Sequence, residues 1–244
     1  MNSVNRAIIM AAGKGTRMLP LTERIPKPLV EVNGKSFIER TIEILLSKSI
    51  SEIYVVTGYL KEKFKYLEEK YPEVTLLDNP YYDTCNNISS LYIARDYIEN
   101  SVILDGDMII NNSDVIQKEF DCSGYVSIWT DKYTDEWLQQ ADDDNIVISC
   151  SRNGGKKGWI LYSISYWSEC DGIKLRDHLI NEFEVRKNKD IYWDDVAMFI
   201  YPDEYKLKIR PADKGDIIEI DSLQELALFD KKYICYLGEK NGKD

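Results

Sequence analysis

The chain has 244 residues, 44% of them hydrophobic, enough for one large domain with a sizeable core. Its 42 acidic and 31 basic residues leave a formal charge of -11, a field that excludes nucleic acid and anionic membrane surfaces as partners and requires any positive charge toward a phosphate to be placed locally or supplied by a metal. Five cysteines, odd in number and without a Cys-x-x-Cys pair, argue against a disulfide framework or structural zinc; with no leader pattern and no membrane-length apolar run, the expectation is a cytoplasmic protein without membrane insertion.

Ala7 to Ala12 is a continuous apolar run ending at Gly13, the pattern of a buried parallel strand. Ser36 and Glu39 have capping-box spacing, and Ile38, Ile42, Leu45 and Leu46 then recur at helical intervals. A β-branched and aromatic strand is expected from Glu52 to Gly58, a charged amphipathic helix from Lys61 to Lys70, and a short strand from Val74 to Leu77. Asn86 and Asn87 precede a helical set of Ile88, Leu91, Tyr92 and Tyr97, and the strand Ser101 to Leu104 runs into Asp105-Gly106-Asp107. Acids at the carboxyl end of a central strand face the crevice where doubly wound sheets bind ligands.

Beyond about residue 120 the pattern changes. Strands are expected at Tyr125 to Thr130, Ile146 to Cys150 and Trp159 to Tyr166, then a helix near Ile173 to Arg186, an apolar segment Trp193 to Ile200, a strand Lys206 to Pro211 and a final helix from Leu223 to about Leu237. The expected architecture is α/β: a Rossmann-like mixed, mainly parallel sheet flanked by helices, with a small β-rich extension. One domain spans 1-244, about 1-120 forming a nucleotide-binding half and about 121-244 an acceptor-binding half.

The segment from Ala11 to Lys27 carries the chemistry. Glycines at 13 and 15 let backbone N–H groups approach phosphate oxygens, and Arg17 adds a charged fork suited to them. Pro26 and Pro28 stiffen the backbone about Lys27, which helps fix a point charge. A Gly-x-Gly alone is more often an ordinary strand-to-helix turn, but Gly-x-Gly-Thr-Arg-x-x-Pro-Leu-Thr followed by Pro-Lys-Pro resembles the signature of nucleotidyltransferases that activate sugar 1-phosphates and other small phosphorylated molecules. The stretch Asp78 to Tyr92, with a tyrosine, paired asparagines and Ser-Leu-Tyr, is similar to that of bacterial CTP:phosphocholine cytidylyltransferases of the choline-incorporation type, as are the Glu-Trp, aromatic-Trp and Tyr-Trp-Asp pieces of the second half.

The resemblance implies a nucleotidyltransferase fold and transfer of CMP from CTP to phosphocholine. Arg17 and Lys27 are the implied catalytic cations. Ala11, Ala12, Gly13, Lys14, Gly15, Thr16, Arg17, Tyr82, Asn86, Asn87, Ser89, Ser90 and Asp105 would bind the nucleotide, and Trp137, Tyr166, Trp167, Tyr192, Trp193 and Asp194 the acceptor. Asp107, Glu219 and Asp221 would hold Mg²⁺, a hard cation served by a few carboxylates together with phosphate oxygens and waters. Aromatic faces and nearby acids suit a quaternary ammonium, which has no N–H to donate. Phosphoethanolamine, 2-aminoethylphosphonate and sugar 1-phosphates are the alternative acceptors, and a nucleotide-sensing scaffold is the non-enzymatic alternative. An oxidoreductase is disfavoured because Gly-x-Gly-x-x-Gly would need glycine where Met18 stands.

Overall fold

The computed structural model describes residues 1–237. A sheet of nine strands runs through them, and its parallel part places the glycine-rich loop and the acidic turn at one end. Arg6–Ala11 sits centrally, parallel to Glu52–Thr57 on one side and to Ser101–Asp105 on the other, with Val74–Asp78 outside Glu52–Thr57. Its Ala7–Ala11 stretch is buried, as an apolar run covered by helices on both faces should be. Met10 pairs with Asp105, so the glycine-rich loop and the acidic turn leave the sheet side by side.

The connecting elements follow their local signals. The Ser36 hydroxyl accepts the Glu39 N–H and starts the helix Phe37–Ser47, which buries Ile38, Ile42 and Leu45 against the sheet. The expected Lys61 to Lys70 helix is a 3₁₀ turn, Lys61–Phe64, followed by a short α-helix, Tyr66–Lys70. The helix expected from Ile173 begins earlier, at Glu169, because Ser168 caps it by accepting the Asp171 N–H. It runs to Ile180 and widens into a π-type turn at Asn181–Val185.

The second half extends the same sheet. The long strand Gly158–Trp167 pairs antiparallel with Ser101–Asp105 through its last residues, while its earlier part pairs with Leu138–Ala141, a strand the sequence pattern did not announce. Leu138–Ala141 in turn pairs with Val147–Ser151. Gly124–Thr130 pairs antiparallel with Gly158–Trp167 and parallel with Lys208–Ala212. A separate two-stranded pairing joins Ile217–Glu219 to Met108–Ile110, with Glu219 opposite Met108. The expected final helix is broken at Asp230, whose carboxylate accepts the N–H groups of Asn33 and Lys232. No helix among the described residues is long and apolar enough to cross a membrane, and all five cysteines are free thiols.

Candidate active site

The glycine-rich loop leaves the Arg6–Ala11 strand and turns back on itself. Gly15 lies in the left-handed region, φ 62°, where a side chain is strained. A Cβ there would come 3.0 Å from Lys27 Cβ and 3.1 Å from Thr22 Cγ2. Thr22 Oγ1 donates to the Gly15 carbonyl at 2.9 Å, holding the turn against the segment that carries Lys27. Ala11, Ala12, Gly13, Gly15 and Lys27 line one small cleft together with Asn87, Ser90, Asp105 and Asp107.

Lys27 is the buried hub of the site. Its side chain is 8% exposed, and Nζ donates to Asp107 Oδ2 and Asp221 Oδ1 at 2.7 Å each. Burial pulls its pKa down, but the two carboxylates outweigh that and hold it above the ordinary lysine value. Arg17 Nη2 reaches the same Asp221 oxygen at 2.9 Å. Two residues 194 positions apart meet because the Ile217–Glu219 strand is zipped to Met108–Ile110, immediately after Asp107. Asp221 is not the cap of the following helix. Ser222 caps it, in a reciprocal box with Glu225, which leaves the Asp221 carboxylate for the cations.

A second cleft, about 290 Å³, opens from this hub into the second half. It is lined by Arg17, Asn87, Asp105, Asp107, Glu219 and Asp221 at one end and by Glu136, Trp137, Leu161, Ser163, Tyr192 and Asp194 at the other. The Trp137 and Tyr192 rings meet edge to face with centroids 5.8 Å apart. Burial, then the neighbouring Asp107, pushes Asp105 up to about 7. Crowding by protein, then Asp105, Asp107 and Asp221, pushes Glu219 up to about 8, although part of the residue remains open to the cleft. Asp194 is raised well above the carboxylate range by burial and then by Asp105. The lining is short of positive charge.

That shortage bears on the metal. Asp107 and Asp221 converge on one cation, are each one-third exposed, and offer hard oxygen ligands beside the glycine-rich loop. Such a donor set fits Mg²⁺, which takes few carboxylates and completes its shell with phosphate oxygens and water. Glu219 lines the same cleft as the two aspartates and feels their charge, although among the described residues no three acidic, histidine or cysteine side chains are gathered into a metal cluster.

The structure sorts the remaining sequence candidates. Lys14 pairs with Asp83 across the mouth of the glycine-rich loop. Thr16 opens a short 3₁₀ turn and is exposed. Tyr82 packs over Gly58 and beside Tyr59. Asn86 donates to the Asp190 carbonyl, and Ser89 is buried between the Asn86 carbonyl and the Asn79 amide; neither is among the residues lining this pair of clefts. Asn87 lines both clefts, and its side-chain Oδ1 accepts the Trp193 backbone N–H at 2.9 Å.

Three aromatic expectations are corrected. Tyr166 and Trp167 are fully buried, Tyr166 donating to the Val115 carbonyl and Trp167 to Ser165 Oγ. Trp193, 4% exposed, stacks on Tyr125. All three are core residues, Tyr166 and Trp167 because the end of Gly158–Trp167 lies inside the sheet with both faces covered, and Trp193 because it packs against Tyr125 and Trp167 on one of those faces. The sequence reading did not assign Glu136, Leu161 and Ser163 to the cleft. Glu136 adjoins the suspected Trp137, which was the available signal. Leu161 and Ser163 carried none beyond strand alternation.

Residues 7–179 match the MobA-like NTP transferase domain. The chain is 38% identical to a 2-aminoethylphosphonate cytidylyltransferase of Lancefieldella rimae, over 95% of this chain and 94% of that one. It is 35% identical to a choline-phosphate cytidylyltransferase of Streptococcus pneumoniae, over 90% and 94% of the two chains. The solved structure of the CTP:phosphocholine cytidylyltransferase from Streptococcus pneumoniae superposes with a TM-score of 0.86 at 35% identity, covering 93% of this chain and 98% of that one.

Proposed function

The chain belongs to the MobA-like NTP transferase family and is a nucleotidyltransferase, and from that premise we propose that it transfers CMP from CTP to phosphocholine, giving CDP-choline and pyrophosphate. The observation that carries the acceptor is the shared cleft. Two aromatic rings, Trp137 and Tyr192, stand with the carboxyl groups of Glu136 and Asp194 at one end, where a bound cation would draw the buried Asp194 back toward its ionised form, and the Lys27, Asp107 and Asp221 hub lies at the other. A quaternary ammonium held by rings and acids would thus direct its phosphate toward the hub.

On this reading, an acceptor phosphate oxygen attacks the α-phosphorus of CTP. A new P–O bond forms as the bond to the β-phosphate oxygen breaks, and pyrophosphate leaves with the electron pair. The acceptor phosphate is ionised at neutral pH, so no general base is required. The backbone of Gly13 and Gly15 with Arg17 would orient the triphosphate. Lys27, fixed by two carboxylates, would place a preorganised positive charge where the transferring phosphoryl group gathers negative charge. Mg²⁺, held by Asp107 and Asp221, would neutralise phosphate oxygens.

A second reading has its own support. The relative from Lancefieldella rimae is named for 2-aminoethylphosphonate, and the acid-rich lining would equally hold a primary ammonium. Pyrophosphate release with CTP and Mg²⁺ separates the two across phosphocholine, phosphoethanolamine, 2-aminoethylphosphonate and glucose 1-phosphate. Phosphocholine should give the highest kcat/KM. A preference for a primary amine would transfer the assignment to the second reading, and turnover of the sugar phosphate alone would refute both.

A further inference from the structure

Behind the Trp137 and Tyr192 wall lies a pair of residues outside the cleft lining. Arg152, just after the Val147–Ser151 strand, donates from Nε and Nη2 to one oxygen of Asp195 at 2.8 and 2.6 Å. The other Asp195 oxygen accepts the backbone N–H of Tyr192 at 2.9 Å. Asp195 is 4% exposed, so this carboxylate has its partners fixed by its surroundings. The Arg152 guanidinium lies 3.7 Å from the centre of the Phe199 ring, Phe199 meets the Trp137 ring edge to face at 5.2 Å, and Trp137 meets Tyr192. The contacts close a circuit from Asp195 through Arg152, Phe199, Trp137 and Tyr192 back to Asp195.

We propose that Arg152 and Asp195 are a positioning pair that sets the spacing and tilt of the two acceptor-facing rings without touching the acceptor. The assignment rests on the reading of Trp137 and Tyr192 as the headgroup wall. A planar guanidinium can both fork onto a carboxylate and stack on a ring, which an ammonium cannot. The carboxylate has a second task. Arg152 is 5.8 Å from the Trp137 ring, a positive charge that would oppose a cationic headgroup on the same ring, and Asp195 neutralises it. The adjacent aspartates are thereby divided, Asp194 lining the cleft and Asp195 turned to the scaffold behind it.

The test uses the full chain with Arg152→Met, Arg152→Lys and the double variant Arg152→Met/Asp195→Asn. The double variant removes the buried charge that the single methionine would leave unpaired, while asparagine can still accept the Tyr192 N–H. KM for the acceptor should rise about tenfold in both methionine variants, with KM for CTP within about twofold and Arg152→Lys intermediate. Amide exchange over Tyr192 to Ile200, measured in the protein alone, should quicken about tenfold in Arg152→Met. Exchange requires no turnover, so it reports on the pair even where the wild type refuses every cationic phosphate, a result that would sink the headgroup reading instead. An unchanged acceptor KM in the folded double variant, an equal rise in both KM values, or unchanged exchange would each overturn the positioning role. A fall in acceptor KM would do the same, showing that charge alone operates there.

Discussion

Lys27→Met isolates the hub. Methionine keeps the length and the apolar stem while deleting the ammonium that bridges Asp107 and Asp221 at 2.7 Å. Two consequences have separate sizes. Removing one partner of a fully buried ion pair costs about 3–5 kcal/mol, but here the orphaned carboxylates are one-third open to water, and solvent screening reduces the figure to about 1–2 kcal/mol. For a chain of this size that corresponds to a Tm lower by roughly 2–8 °C, so the variant stays folded at room temperature. Loss of a preorganised charge beside the transferring phosphoryl group should lower kcat by about 10²–10³, or roughly 3–4 kcal/mol of barrier. The assay is steady-state pyrophosphate release with CTP and acceptor varied separately, alongside thermal unfolding. Lys27→Arg should recover little, because the wider guanidinium does not fit a site in which the lysine is 8% exposed. A kcat within threefold of wild type in folded Lys27→Met would refute the catalytic role and leave Lys27 as a structural brace.

Gly15→Ala should lower activity more than tenfold and Tm by a few degrees, because the new methyl sits at φ 62° and 3.0 Å from Lys27 Cβ; kinetics and calorimetry on one preparation check both. Trp137→Ala should raise KM for the acceptor by about tenfold or more while KM for CTP holds, and parallel changes in both would count against the headgroup assignment. Acid stability offers a test remote from the site. Hydrogen bonding from Lys208, against some burial and with help from Arg210, lowers Asp121 to about 2. A depressed folded pKa contributes stability above the unfolded value near 4 and loses it as pH falls toward 2. The Tm difference between wild type and Asp121→Asn should therefore shrink over that window, and a constant difference would show that the ion pairs do not set it.

The first half of the chain was legible because its signals are local. The apolar run ending in Gly13, the Ser36 cap and the Asp105-Gly106-Asp107 turn each specify a short stretch of backbone, and the parallel pairing of Arg6–Ala11 with Ser101–Asp105 brings the loop and the acids together. The second half was less legible for a physical reason. A tryptophan that fills a core and one that lines a cleft are chemically the same residue, and only the covering of both sheet faces makes Trp167 the first kind and Trp137 the second. Arg152 and Phe199 gave no signal because their stacking joins a strand end to a turn 47 residues later. The break at Asp230 depends likewise on a bond to Asn33 across the fold.

The pairing of Ile217–Glu219 with Met108–Ile110 has a consequence for the order in which this protein comes into being. Lys27 is made early and Asp221 near the end, so closing the hub requires a loop of nearly two hundred residues to be drawn shut. During synthesis the central strands can begin to pair while the last acid is still inside the ribosome, and the complete charge hub exists only once the carboxyl-terminal strand has emerged and docked. A chain interrupted before residue 221 would keep the glycine-rich loop and Lys27 and lack one of the two carboxylates that hold the lysine. The hub is thus a property of the completed fold, and no local stretch of the chain can form it alone.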